Sequence, residues 1–307
     1  MKLTLKFPLS TSDVETLEQI ERVAIPPLSI DEASTRAILF MRAAAGRASL
    51  CLSAFYLFLG AESSTDEQRK EWPYPHTVRH YTLRYSAMGT IALAARSIFD
   101  HGKDGLHAKM VTKLSAKDME EVATYWAHND PSKLPDARLA LAFVQSVLAR
   151  CAIPIKEANR SKCILARRVA FLKAYADREA AHISTHPYEY TMKDVVHVAS
   201  AVALFGAVIH DFDSGKEGAG LKFLVDIDKG AYEAAVEIFP DLKKFPRLFE
   251  RGGEAMLRNL YKGRLAAGAD YLSTWLLSAL GWDNMPKEFW SHLQKGAPST
   301  GSPAADA

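Results

Sequence analysis

The sequence predicts an all-α protein, and three observations predict it. A Ser or Thr followed three positions later by an acidic residue stands before several apolar segments, at Ser12/Glu15, Ser29/Glu32 and Thr191/Asp194. In that pattern each side chain satisfies an orphan backbone N–H of the other, which marks a helix N-terminus. Apolar residues in the segments recur at three- and four-residue intervals, as they must to line one face of a helix. Only Leu221 to Ile227 looks like a strand, and it reads equally well as a loop.

The elements follow in order. The cap at Ser12 opens a short helix that stops at Pro26-Pro27. The cap at Ser29 opens a long helix from about Ile30 to Gly60, where glycine is a natural stop. Residues 62–75 are polar and end in Trp72-Pro73-Tyr74-Pro75, a loop pattern. A helix from about Thr77 to Phe99 carries Leu83, Ala87, Ala94 and Ile98 on one face, and Asp100-His101-Gly102 closes it. Shorter helices run from near Ser115 to Asn129 and from Pro135 to Cys151. Pro154 suits the first turn of a long helix reaching Ala181. His186-Pro187 ends it, because the residue before proline avoids helical dihedrals. The Thr191/Asp194 cap opens a helix to about Ile209.

Asp211 to Gly220, charged and glycine-rich, is the expected linker. Beyond it come a short helix near Ala231 to Phe239, a long one near Phe249 to Leu280, and a turn at Lys287 to His292. The expected organisation is a helical bundle over residues 1–210, a C-terminal helical extension over 211–295, and a disordered tail over 296–307. The tail is Gly, Pro, Ser, Ala and Asp without apolar anchors.

The composition narrows the function. Of 307 residues, 48% are hydrophobic and 24% charged, enough apolar material for a large core. The 38 basic and 36 acidic residues leave a formal charge of +2, so the chain is no bulk polyelectrolyte. Any nucleic-acid contact must come from a local basic patch. Cys51, Cys151 and Cys163 are widely spaced in apolar stretches with no C-x-x-C, which disfavours thiolate zinc. They read as small buried hydrophobes in a reducing compartment. No apolar segment suits a signal peptide, and the run Ala48 to Ala61 falls short of the roughly 20 apolar residues that span a bilayer. A cytoplasmic protein without membrane contact is the expectation.

The segment from Ile155 to Ile183 carries the most chemistry. Leu165, Val169, Leu172, Ala176, Ala180 and Ile183 line one helical stripe, the core face. About 100° away lies a second stripe of Arg168, Phe171, Tyr175, Arg178 and His182. Arg178 and His182 are one turn apart and can face one ligand. Histidine exchanges protons near neutral pH, and arginine stabilises phosphate charge, the two needs of phosphodiester cleavage. A capped helix end with a solvated arginine fits the same spacing. Arg160, Lys162, Arg167, Arg168 and Lys173 form the densest basic cluster, either a solvated face or a phosphate-tracking surface with Tyr175 beside it.

Three passages resemble the HEPN superfamily, and within it the phage abortive-infection branch. They are Ile91-Ala-Leu-Ala-Ala-Arg-Ser-Ile-Phe-Asp100, Tyr175-Ala-Asp-Arg-Glu-Ala-Ala-His182, and Tyr190-Thr-Met-Lys-Asp-Val-Val. Each is similar to a motif of that branch, they occur in its order, and together they span about residues 30–210. The resemblance implies an antiparallel helical bundle that dimerises and cuts RNA without metal or cofactor. It implies RNA, a second copy of the chain, and an antitoxin or other defence partner as interactors. Carried over position by position, His182 takes the family's histidine role as general acid/base. Arg178 stabilises phosphate charge, and Asp177 orients one of them. The family's leading arginine falls on Ala176, a departure from the pattern. Arg96 and His101, with four residues between, make a second match to the Arg–His spacing.

Two other readings stay open. One is a non-catalytic interaction module that uses the Phe171/Tyr175 stripe as an interface. The other is a metal phosphohydrolase built from His210, Asp211, Asp213, Asp226 and Asp228 with His182 or His197. His182 and His186, at i, i+4, could also share a metal, though Pro187 disfavours it.

Overall fold

The computed structural model describes residues 31–63, 74–100, 107–177, 191–216, 218–250, 268–274 and 276. Among them no strand occurs, and the fold is an all-α bundle. Its elements are α1 (Glu32–Ser63), α2 (Tyr74–Phe99), α3 (Lys109–Thr112), α4 (Ala116–Trp126), α5 (Leu134–Cys151), α6 (Ile155–Ala158), α7 (Ile164–Tyr175), α8 (Met192–Ser214), α9 (Ala219–Ile238), a 3-10 turn (Pro240–Lys244) and α10 (Gly268–Thr274). The expected elements near 12–26 and 287–292, most of 249–280 and the tail lie outside the described residues.

Helix α8 is the axis of the bundle. Every residue from Val195 to Ile209 is buried, so the helix is covered on all sides. Gly206 faces Ala48, and Asp213 reaches Arg42, so α8 runs antiparallel to α1. The approach is close: a Cβ on Gly206 would overlap the Ala48 Cβ. Helix α2 packs along α1, and the two are joined near their shared end by a buried Arg84–Glu62 ion pair. Helix α7 packs between α2 and α8, with α5, α6 and α10 against it.

Local chemistry accounts for the boundaries. Asp31 opens α1, its Oδ1 accepting from Ala33 N at 3.2 Å, while Ser29 lies outside the described residues. Reciprocal capping boxes open α4 at Ser115/Asp118 and α8 at Thr191/Asp194. Helix α1 runs past Gly60 to Ser63. A Cβ on Gly60 would collide with the Phe239 ring, so this glycine serves packing rather than a stop.

Three expectations are corrected. The long helix from Pro154 is two helices. The chain leaves α6 through 3.0–3.1 Å bonds of i, i−3 type at Arg160 and Ser161. Ser161 Oγ then accepts from Cys163 N at 3.1 Å. Such a side-chain bond competes with helix propagation. Leu221 to Ile227 is helical, inside α9. The expected linker Asp211 to Gly220 is not a spacer, because α8 runs on to Ser214 and α9 begins at Ala219, and the chain reverses between them so that the two helices pack on each other. Gly215 (φ 66°) and Gly218 (φ 74°) adopt the left-handed backbone that permits it. Gly220 then lies against the Ala207 carbonyl, and its N–H is accepted by Asp211 Oδ1 at 2.8 Å.

Helix α9 and residues 239–250 therefore share the core of the preceding helices. A buried polar node anchors them. Tyr56 donates to Asp228 Oδ1, Leu248 N donates to Tyr56 Oη at 2.7 Å, and Phe249 N donates to Asp228 Oδ2 at 3.4 Å.

Two helices, α1 and α8, are long and apolar enough to cross a membrane by length and composition. They pack on each other, and 61% and 83% of their most apolar windows are buried within the chain.

Candidate nucleic-acid interface

Helix α7 carries the sequence-derived site residues, and its core stripe lies where expected. Leu165, Val169, Leu172 and Ala176 are fully buried. Ala180 and Ile183 lie outside the described residues.

The second stripe and the basic cluster beside it are not a uniform surface. Lys173 and Tyr175 are each only 7% exposed. Lys173 Nζ donates to the Phe99 carbonyl at 3.0 Å and the Ile153 carbonyl at 3.2 Å. It ties the end of α2 to the α5–α6 connection. Burial lowers its pKa, and the nearby carboxylates of Asp100 and Asp177 oppose that shift. A buried ammonium that donates to two carbonyls cannot track a solvent-borne phosphate. Tyr175 is likewise withdrawn from any stacking surface. Of the expected phosphate-tracking face, Lys173 and Tyr175 are withdrawn, while Arg160, Lys162 and Arg167 are exposed and Arg168 partly so.

Arg167 and Arg168 line a cleft of about 320 Å³ with Asn159, Ile164, Phe171 and Asp194. It lies beside the break between α6 and α7, with Asn159 on one side of the break and Ile164 on the other. Half-buried Phe171 and Ile164, 36% exposed, supply apolar wall. Arg167 is exposed and braced by one bond, from its guanidinium to the Ser161 carbonyl at 2.9 Å.

Arg168 is held more firmly. Its Nε pairs with Asp194 Oδ1 at 2.9 Å, and a terminal nitrogen donates to His197 Nδ1. His197 is buried, and its Nε2 lies 2.7 Å from the Leu272 carbonyl. A carbonyl can only accept, so Nε2 carries the proton and Nδ1 is free to receive Arg168. The imidazole is therefore the neutral Nε2–H form. Asp194 also accepts from Thr191 N at 3.2 Å as the cap of α8. One node thus orients Arg168, starts α8 and contacts α10.

The far end of α7 turns into a π-type turn at residues 176–177. There Asp177 pairs with Arg96 of α2 at 2.6 Å, both groups about 40% exposed. This contact joins the first two passages of the family resemblance, and Arg168–Asp194 joins the second helix to the third. Arg178, His182, His101 and His186 lie outside the described residues. Sequence reasoning had noted Arg96 but not its partnership with Asp177. Both stood in the resembling passages, which was the available signal.

The carboxylates of the phosphohydrolase reading do not converge. Asp211 accepts from Gly220, Asp213 pairs with Arg42, Asp226 pairs with Lys222, and Asp228 is buried against Tyr56. His210 stacks on Phe223 with ring centroids 4.5 Å apart. Among the described residues no group of three His, Cys, Asp or Glu side chains could hold a metal ion.

The cleft can accept a planar or anionic group. Its floor is apolar and aromatic, and Arg167 presents a guanidinium at the rim. No family model, no curated protein and no solved structure matches the chain.

Proposed function

We propose that the chain is an RNA-directed HEPN-like protein of phage-defence or toxin type, acting as a homodimeric, metal-independent endoribonuclease. The observation that carries the reading is the alignment of one cleft and one acidic node along α7. Arg167, Arg168 and Phe171 stand at one end of the helix, and Asp177, paired with Arg96, at the other. Ten residues of helix separate Arg167 from Asp177, about 15 Å. That is room for a few nucleotides of a single strand. The base stacks at Phe171, and the guanidinium of Arg167 meets a backbone phosphate. His182 is the general acid/base, Arg178 stabilises the phosphate charge, and Asp177 orients the neighbouring cation.

A second reading is favoured by Ala176. It stands at the family's leading-arginine position and is fully buried. An arginine could not replace it without breaking the core. A non-catalytic RNA-binding or scaffold protein on the same bundle accommodates that fact directly.

Labelled RNAs incubated with the full chain in EDTA separate the two. Cleavage by the parent chain, lost in His182→Ala and Arg178→Ala with folding intact, supports the ribonuclease. Binding without cleavage, weakened by Arg167→Ala, supports the scaffold. Neither binding nor cleavage across varied RNAs overturns both.

A further inference from the structure

His197 lies directly behind the cleft arginine and meets polar groups from three elements. Arg168 of α7 donates to its Nδ1. The Leu272 carbonyl of α10 accepts from its Nε2–H at 2.7 Å. Asp194 of α8, one turn before it, holds Arg168 Nε at 2.9 Å. Farther along α10, Asp270 pairs with Arg150 of α5 at 3.6 Å, and Ser273 Oγ lies 3.1 Å from Cys163 Sγ. His197 itself is 1% exposed. The Arg168 side chain is 17% exposed and lines the cleft.

This arrangement holds the imidazole neutral. Nδ1 must keep its lone pair to receive the guanidinium. An added proton would set N–H against N–H and cation against cation in a buried site. Arg168 therefore has two directions open to it. Turned inward, its terminal nitrogen donates to a neutral ring nitrogen. Turned toward the cleft, it meets an anion held there, and a charged acceptor gives a bond roughly twice as strong as a neutral one. Nε can stay on Asp194 in both positions, because only a terminal nitrogen has to move. Once the guanidinium has left, Nδ1 can take a proton. Asp194, on the same face of α8, is the counter-charge beside it.

We propose that binding of a phosphate group in the cleft draws Arg168 off His197 and is coupled to uptake of one proton at His197 Nδ1. The coupling rests on the reading of the cleft as an RNA-binding surface and adds regulation by pH to it. In the free chain Arg168 is the one cation of the pair. In the bound chain Arg168 and His197 are both cations, facing the phosphate and Asp194. The bound state holds one more proton, so affinity rises as pH falls. The gain approaches about tenfold per pH unit on the acid side of the ordinary imidazole value near 6.5.

Calorimetric titration of the full chain with a short oligouridylate tests this. Neither its phosphodiesters nor its bases titrate between about pH 5.5 and 7.5, the range in which an imidazole does. Repeating the titration in buffers of different ionisation enthalpy counts the protons taken up. The expected result is uptake that approaches one proton per chain toward the acid end, with affinity rising in step. His197→Gln, whatever its affinity, should show neither the uptake nor the dependence on pH. Should that variant fail to fold, the imidazole nitrogen spectrum of the parent chain decides. On adding the oligouridylate at the acid end, Nδ1 of His197 should change from the acceptor to the protonated form. Binding without uptake, uptake that persists in His197→Gln, or an Nδ1 that stays an acceptor overturns the coupling and leaves the RNA reading standing. Absence of binding at every pH overturns the RNA reading and the coupling with it.

Discussion

The molecule contains two polar nodes of similar build in opposite settings. In the interior, Tyr56 and Asp228 join α1, α9 and the segment around Leu248. At the cleft, Arg168, Asp194 and His197 join α7, α8 and α10. The interior node has one ionisable acid, 1% exposed, with no cation bonded to it among its described contacts. Burial raises Asp228 to about 6. The cleft node sets a guanidinium against a carboxylate at 2.9 Å, with both side chains about one-fifth exposed. Desolvation governs the first and charge pairing the second. A buried acid without a bonded cation is tolerated as a protonatable anchor, whereas a cleft arginine is kept charged and aimed.

The largest way to break that contrast is with pH. Asp228 rises from an ordinary 3.8 to about 6 on folding. A carboxyl that holds its proton more tightly when folded stabilises the fold fully below its unfolded value. That contribution is lost as pH rises through the folded value. Stability to urea should therefore fall by about 3 kcal/mol between roughly pH 4 and pH 6, two pKa units at about 1.4 kcal/mol each. Asp228→Asn should remove that slope; a parent chain with a flat profile over this range rejects the interior assignment.

Arg168→Ala addresses the other node. It leaves Asp194 and His197 Nδ1 without their shared donor, at a cost of about 2 kcal/mol. Arg168→Lys should recover less than half, because one ammonium cannot meet both partners in the guanidinium's geometry. Denaturant midpoints at constant pH measure both, and equal stabilities for Arg, Lys and Ala would mean the node positions nothing.

Gly206→Ala probes the close packing of α8 on α1. Alanine is the better helix former by about 1 kcal/mol. Its Cβ would overlap the rigid Ala48 Cβ, and overpacking of that kind costs about 1–3 kcal/mol. A net loss near 1 kcal/mol is expected, and a gain in melting temperature would show that α1 and α8 can separate freely. Arg167→Ala should change stability least, within about 0.5 kcal/mol, because the side chain is exposed. If RNA binds at the cleft, the same change lowers the salt slope of binding by about 1. An unchanged slope would remove Arg167 from the interface.

Much of this was legible in the sequence, and the reason is local. Helix starts at Ser115 and at Thr191/Asp194 are written by caps that act within four residues. The stripe Leu165, Val169, Leu172, Ala176 is set by helical periodicity alone, and all four are buried. Local signals failed where distant chain supplied the reason. Gly60 reads as a stop until Phe239 packs on it. Lys173 reads as part of a basic surface until the Phe99 and Ile153 carbonyls accept its protons.

By itself, then, the sequence determined the helical class, several helix starts and the face that α7 turns inward. Capping and periodicity depend only on near neighbours in the chain. The tertiary structure alone decided that Arg96 meets Asp177, that Arg168 lies between Asp194 and His197, and that Lys173 meets the carbonyls of Phe99 and Ile153. Each is a contact between faces of different elements. Its partners are chosen by how whole helices pack, which no local spacing encodes.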